Sequence, residues 1–386
     1  MPPPKHLIID NGGAVVRSGF SGNSDPDKTR LNAVARGKRD KKIYVADKIL
    51  PLSEYLLARP LHRGLVVDWE TEKVVWASAV FGGKGAKSSE RSESLVVTSA
   101  AFLPTTIKRE MYDVGFRDFQ FSDVLVVDSS LCAQFSPGIT NQFSNADWSN
   151  PCGIIVDCGF SYSTVIPLFN TQPVVGGSVR VPVGGRVLNN LLRERLAYLQ
   201  LDLDDNPMLV EHIREEVCEV AHQSLGSILA HPRPEHRLSY LLPDSGSHGR
   251  VMDSGDELGG SGSSQTITVG ADRFAIPEAL FSPRTFGIDS IGLAEAVALA
   301  ISRCEAPIRS ALGAKIIVCG GVAKTKGFLT RLSSELEAAI HTPVRLLCES
   351  DGKLELSVWR GAAQLRDEDI AFLGGMRRED WLGDRE

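Results

Sequence analysis

No apolar run in the 386 residues approaches the 18–20 needed to cross a bilayer. The opening MPPPKHLIIDNGG lacks a charged region followed by an apolar one, so no secretory signal is expected. The seven cysteines are scattered and form no CxxC pair, which argues against a zinc site or a disulfide framework and for reduced thiols inside a cell. A net charge of −6 argues against wholesale coating of nucleic acid, although it permits a local basic patch. What remains is an ordinary globular composition, 42% hydrophobic and 23% charged, in a chain long enough for two or three domains.

LIID, Asn11-Gly12-Gly13 and AVVRSGF read as strand, turn and strand, with Asn-Gly predicting a type I′ turn with positive φ at its centre. GIIVDCGFSYSTVIPLF repeats the pattern, so an acidic strand end occurs at Asp10 and again at Asp157, a weak internal repeat. LVVTSAAF and VLVVDSS read as buried strands around a helix near 106–116. VLNNLLRERLAYL and MLVEHIREEVCEVAHQSL carry helical spacing, as does Leu293–Arg303. KIIVCGG is a buried strand ending in Gly320-Gly321, followed by a helix, VRLL and a helical SVWRGAAQL. Ser245–Ser264, rich in Gly, Ser and Asp, reads as a flexible insertion. Alternating strands and helices predict an α/β protein of two lobes.

A turn of small residues after a strand can turn consecutive backbone N–H groups toward a phosphate. Asn11, Gly12 and Gly13 suit that role, Asp10 could hold a hydrated divalent cation, and Asp157-Cys158-Gly159 offers the same arrangement again. An ordinary hairpin is the alternative for either one alone. Two of them, with Gly320-Gly321, favour a nucleotide cleft between lobes.

VMDSGD at 251–256 looks like a phosphate loop but lies in the Gly/Ser-rich stretch; His231 and His236 read as an exposed turn rather than a metal site. The basic run at 28–42 reads as a solvated loop face, with DNA contact or an import signal as the alternative. Trp69 and Trp76, seven apart, share a helical face that packs the small lobe; Cys158 has no base nearby in sequence and reads as a small turn residue.

The segments LIIDNGGAVVRSGFSG, LHRGLVVDWETEKVVW, GIIVDCGFSYSTVIP, VGGRVLNNLL, IREEVCEVA, RFAIPEALFSP, KIIVCGG and SVWRGAAQL resemble actin segments in the same order, from Leu7 to about Leu365. VGGRVLNNLLRERLAYLQL, VEHIREEVCEVA, YLLPD and an aromatic residue after the second phosphate glycine resemble the actin-related protein 6 subfamily.

The resemblance implies a two-lobed actin-like (ribonuclease H-like) fold with a central nucleotide cleft. The first lobe would span 1–150, with a small part at about 33–65. The second would span 151–357, with a helical part at about 184–288 that carries the 245–264 insertion, and 358–386 would return to the first lobe. It implies ATP or ADP with Mg, held in a structural role. Asp10 and Asp157 would face the cation through water, and Asn11, Gly12, Gly13, Arg17 and Gly159 would face phosphates. Gly185, Arg214, Glu215, Gly320 and Gly321 would surround ribose and base.

It also implies a nuclear subunit, with the cytoplasm as a further location, of a remodelling complex that exchanges a variant histone into nucleosomes. There the chain would bridge the motor subunit to accessory subunits that contact nucleosomes or histones, without touching a membrane.

Departures from actin shape the expectation. Asp128 stands for the glutamine that orients the attacking water, Thr164 for the water-activating histidine, Phe160 for the second cleft aspartate, and Glu355 for a basic residue near adenine. Losing a positioned proton acceptor costs about 10²- to 10⁴-fold in rate, so hydrolysis is expected to be very slow or absent. Between Asp40 and Leu61 the chain is shorter than actin's filament-gripping part, and the stretch 140–150 reads as a second surface insertion; filament formation is not expected. An actin-like ATPase or cytoskeletal relative is the first alternative, and a sugar-kinase-type enzyme the second.

Overall fold

The computed structural model describes residues 6–38, 40–46, 55–81, 93–199, 201, 203–204, 206–222, 225–231, 233–243, 249–252, 265–341 and 344–383. Two six-stranded sheets form its frame. In the first, Met376–Arg377, Asp123–Asp128, Ser94–Ser99, His6–Asn11, Val15–Phe20 and Lys28–Leu31 lie side by side. In the second the order is Gln172–Pro173, Ser163–Phe169, Cys152–Cys158, Ile316–Cys319 and Leu346–Leu347, with Val179–Val181 also paired to Ser163–Phe169.

The internal repeat is therefore structural. His6–Asn11 pairs antiparallel with the strand after it and parallel with Ser94–Ser99. Cys152–Cys158 does the same with Ser163–Phe169 and Ile316–Cys319. Asp10 faces Arg17 across the first hairpin, and Asp157 faces Thr164 across the second.

Side-chain alternation along the strands distributes the core. Leu7 and Ile9 pack outward with Trp76, Phe116 and Trp381. Ile8 turns inward to a core shared with Ile155, Ile166 and Ile317 of the second sheet and with Trp359. Ile154 and Val156 face the second lobe's own core, with Leu188, Ile213 and Val297. The helix Ser357–Ala362, which carries Trp359, packs on Ser129–Ala133 and on the first strand. The last strand, Met376–Arg377, closes the edge of the first sheet.

Several elements differ from the sequence reading. MLVEHIREEVCEVAHQSL is not one helix: Pro207–Val217 ends at extended Cys218, because buried Arg273 donates to Val217 O at 2.9 Å and Glu219 moves to a bridge with Lys326. The part at 184–288 is not wholly helical, since Leu238–Leu241, Arg250–Val251 and Thr266–Val269 form a three-stranded sheet.

The stretch 140–150 is ordered, with Asn145–Ser149 held by a reciprocal Ser144–Asp147 capping box. The basic run at 28–42 is not a solvated loop: Lys28–Leu31 and Val34–Gly37 are strands, and Arg30 donates to Ser78 O, 2.6 Å, near the end of the helix Trp69–Phe81. The insertion at 245–264 falls outside the described residues apart from 249–252, and VMDSGD is described only at Val251 and Met252. No helix among the described residues is long and apolar enough to cross a membrane.

Candidate functional site

Both hairpin turns open into one cavity of about 730 Å³ between the sheets. It brings together Asp10, Asn11, Gly12, Gly13, Arg17, Asp157, Gly159, Gly185, Arg214, Glu215, Gly320 and Gly321, residues drawn from five separate stretches of chain.

The first turn spans the four residues between Asn11 and Val16 and is not type I′: neither Gly12 nor Gly13 has positive φ. Glycine is needed there for close approach. A Cβ on Gly12 would lie 2.6 Å from Val15 O, and one on Gly13 2.6 Å from Ser161 Oγ of the opposite turn. Gly320 is the position that requires positive φ, +95°, and its Cβ would fall 2.4 Å from Cys158 O.

Asn11 is anchored from behind. Its backbone N–H donates to Thr98 Oγ1, 3.0 Å, and its side-chain oxygen accepts from the Trp76 indole at 3.1 Å. Trp76 thus packs the first lobe and holds the turn, and it meets Trp69 edge-on at 6.3 Å. The same indole reaches Glu72, wholly buried, whose carboxyl is pushed up to about 7 by desolvation against opposing hydrogen bonds from Asn11, Trp76 and Asn32.

Asp10 accepts from Arg17 at 3.1 Å and from Thr98 at 2.9 Å, so Arg17 neutralises the strand-end carboxylate as well as facing the cavity. Asp157 accepts from Ser130 Oγ, 3.1 Å; burial first, then the charge of Asp10, pushes it up to about 6. Two carboxylates at the head of a cavity, one of them strongly desolvated, suit a hydrated cation. Among the described residues no cluster of three metal-ligating side chains exists, so a cation would be held through water. Arg17 Nε, Ser161 Oγ and Glu355 Oε2 are buried in the cavity wall without a hydrogen-bond partner. The paired turns and the two unsatisfied donors, Arg17 Nε–H and the Ser161 hydroxyl, fit a bound nucleotide's phosphates, whereas the Glu355 carboxylate, an acceptor, does not.

On another part of the wall, Arg214 donates to Asn189 Oδ1, 2.6 Å, and pairs with Glu215, which Lys324 also reaches at 3.4 Å. Cys158 is fully buried and its thiol is raised further by burial, in keeping with a small turn residue. His231 is exposed, and His236 stands edge-on to Phe274 at 5.5 Å.

The positions that depart from actin are occupied. Asp128 caps the helix Ser129–Ala133 by accepting from Ser130 N, 3.0 Å, and burial pushes it up to about 6. Thr164 is buried in its strand. Arg59, at 4.8 Å, and Arg186, at 5.5 Å, both stack on the Phe160 ring.

Sequence reasoning missed these arginines. Arg59 also donates to Ala14 O of the first turn, 2.8 Å, and pairs with Glu211 of the second lobe at 3.2 Å. Arg186 donates to Leu61 O, 3.0 Å, and Arg180 stacks on Tyr162 at 3.7 Å while reaching Arg63 O. Local spacing holds no sign of such contacts between distant segments. Phe160, out of place as an aromatic in a phosphate turn, was the available clue.

The sequence model of the actin family matches residues 2–208 and 200–371. An actin-like protein of Caenorhabditis elegans is 29% identical over 89% of this chain and 82% of its own length. Actin-related protein 6 of Drosophila melanogaster is 28% identical over 89% of each chain. A Yarrowia lipolytica protein named actin-like protein ARP6 is 27% identical over 94% of this chain and 90% of its own.

Proposed function

The chain belongs to the actin family, and from that premise we propose that it is a nuclear, non-filament-forming structural subunit of an ATP-dependent chromatin remodelling complex. In that reading it bridges the motor to a module contacting nucleosomes while a variant histone is exchanged. The likeness to proteins named actin-related protein 6 supports the subfamily, and the residue pattern of that subfamily carries the rest.

One observation carries the non-catalytic reading. Where actin places the groups that orient and activate water, this chain has a carboxylate committed to a helix cap, a strand-buried threonine and a phenylalanine stacked by two arginines. Asn11, Gly12, Gly13 and Gly159 would meet phosphates, with Asp10 and Asp157 facing a hydrated magnesium. Gly185, Arg214, Glu215, Gly320 and Gly321 would surround ribose and base. Bound ATP or ADP supplies charge and contacts that join the lobes, and function lies in the surfaces the joined lobes present.

Native purification from nuclear extract, with identification of the co-purifying chains, tests the assignment. Recovery of a remodelling motor with histone-exchange subunits is expected. Recovery of cytoskeletal partners alone, or phosphate release by the pure protein at an actin-like rate, would sink it.

A further inference from the structure

Phe160 is the common wall of two cavities. On its far side from the turns lies a second cavity of about 510 Å³, between the Leu57–His62 segment and the helix Gly185–Leu199. Arg186, Asn189, Asn190 and Arg193 fall on one face of that helix by their spacing, and all line this cavity; Arg59 enters from the opposite side.

The charges do not balance. Glu211 is the carboxylate lining the cavity, and Arg59 already holds it at 3.2 Å. Arg193 reaches out to the exposed Asp204 at 3.1 Å. Arg186 is half-buried and gives one hydrogen bond, to Leu61 O. Burial alone lowers its pKa, with no carboxylate among the described residues to offset the loss of water. A desolvated guanidinium without a counter-ion is costly unless an anion completes it.

From the cavity, its excess of guanidinium groups and the unpaired Arg186, we propose that this second cavity binds a small phosphate-bearing anion. Arg186 and Arg193 are its anchors, and the Asn189 and Asn190 amides its neutral partners. Phosphate suits this lining better than a lone carboxylate. Its tetrahedral oxygens accept bonds from several directions, which forked guanidinium and amide donors on one helix face can reach together. Such an anion would hold Arg186 where it donates to Leu61 O, and so tie the small part of the first lobe to the second. The site shares Phe160, Leu61 and Glu211 with the first cavity, but its anchoring arginines do not line that cavity and do not depend on a nucleotide lying there.

The test is calorimetric titration of the full chain with pyrophosphate in metal-free buffer, against sodium chloride at equal ionic strength. Binding beyond the chloride control is expected, weakened at least about tenfold by Arg186→Gln and by Arg193→Gln and unchanged by Arg195→Gln, an exposed arginine of the same helix that pairs with Asp272. Loss with Arg17→Gln and none with Arg186→Gln or Arg193→Gln would place the anion on the turn and overturn the proposal. So would binding no stronger than the chloride control. Should Arg186→Gln fail to fold, Arg193→Gln at the rim still decides. The source is separated by repeating the titration with ribose 5-phosphate: equal affinity indicates recognition of the phosphate alone, and weaker binding a free polyphosphate; failure of both probes refutes the site.

Discussion

Arg59 and Glu211, 152 residues apart in the chain, meet at 3.2 Å across the mouth of the cleft. Both are largely buried, and burial is the largest influence on each: it lowers the arginine and raises the glutamate against their mutual attraction. The fold therefore holds the pair together more than the pair holds the fold.

Removing either partner alone, by Arg59→Met or Glu211→Leu, leaves a buried charge and is expected to cost about 3–5 kcal/mol. Replacing both together should recover most of that loss. Urea denaturation of the two single variants and the double variant checks the cycle, and additive losses would show that the pair is not coupled.

Glu72 sits behind the first turn with its carboxyl pushed up to about 7. A carboxyl raised in the folded state favours folding most below its unfolded value of 4.5, and that advantage is lost as pH rises through about 7. Glu72→Gln keeps the protonated shape, so it should raise the melting temperature at pH 8.5 and leave it unchanged near pH 4. The size at pH 8.5 is on the order of 3 kcal/mol. A lower melting point at pH 8.5 would mean that the ionised carboxylate is held by compensating donors.

Asp157 follows the same sign within the cavity. Its advantage is complete below 3.8 and gone above about 6, so Asp157→Asn is expected to stabilise the ligand-free protein at pH 8 by about 2–3 kcal/mol. Unlike Glu72→Gln, it should also abolish any thermal shift with Mg-ATP. An unaltered shift would remove the cation assignment.

Gly320→Ala combines positive φ with a Cβ 2.4 Å from Cys158 O. Gly22 has a similar φ, +90°, with open space around it. The alanine at 22 should cost about 1 kcal/mol of backbone strain, and the alanine at 320 at least about 2 kcal/mol more. Equal melting temperatures for the two variants would show that the strand end at Gly320 can move aside.

Elements whose signals are local were legible. The helix Leu293–Arg303 matches its spacing residue for residue, and both acidic strand ends stand where the repeat placed them. Where a distant side chain competes, local reading failed. Helical spacing runs past Cys218, yet Arg273, 56 residues beyond Val217, takes the Val217 carbonyl and also binds Glu219, and ends the helix. The Asn-Gly turn looked like a matter of φ, but close approach sets the need for glycine, of Val15 O at Gly12 and of Ser161 from the other lobe at Gly13.

Sequence by itself determined the two hairpins, the alternation that gives each sheet two apolar faces, and the carboxylates at the strand ends, because these follow from neighbours a few residues apart. Tertiary structure decided which of those groups share a cavity, which are neutralised and which stand desolvated. Thr98 donating to Asp10, Trp76 holding Asn11, and Arg59 and Arg186 stacking on Phe160 all depend on chain segments brought together by a common core. A side chain's charge and hydrogen-bonding capacity are written in the sequence; its dielectric surroundings and its partner are set only when the lobes pack.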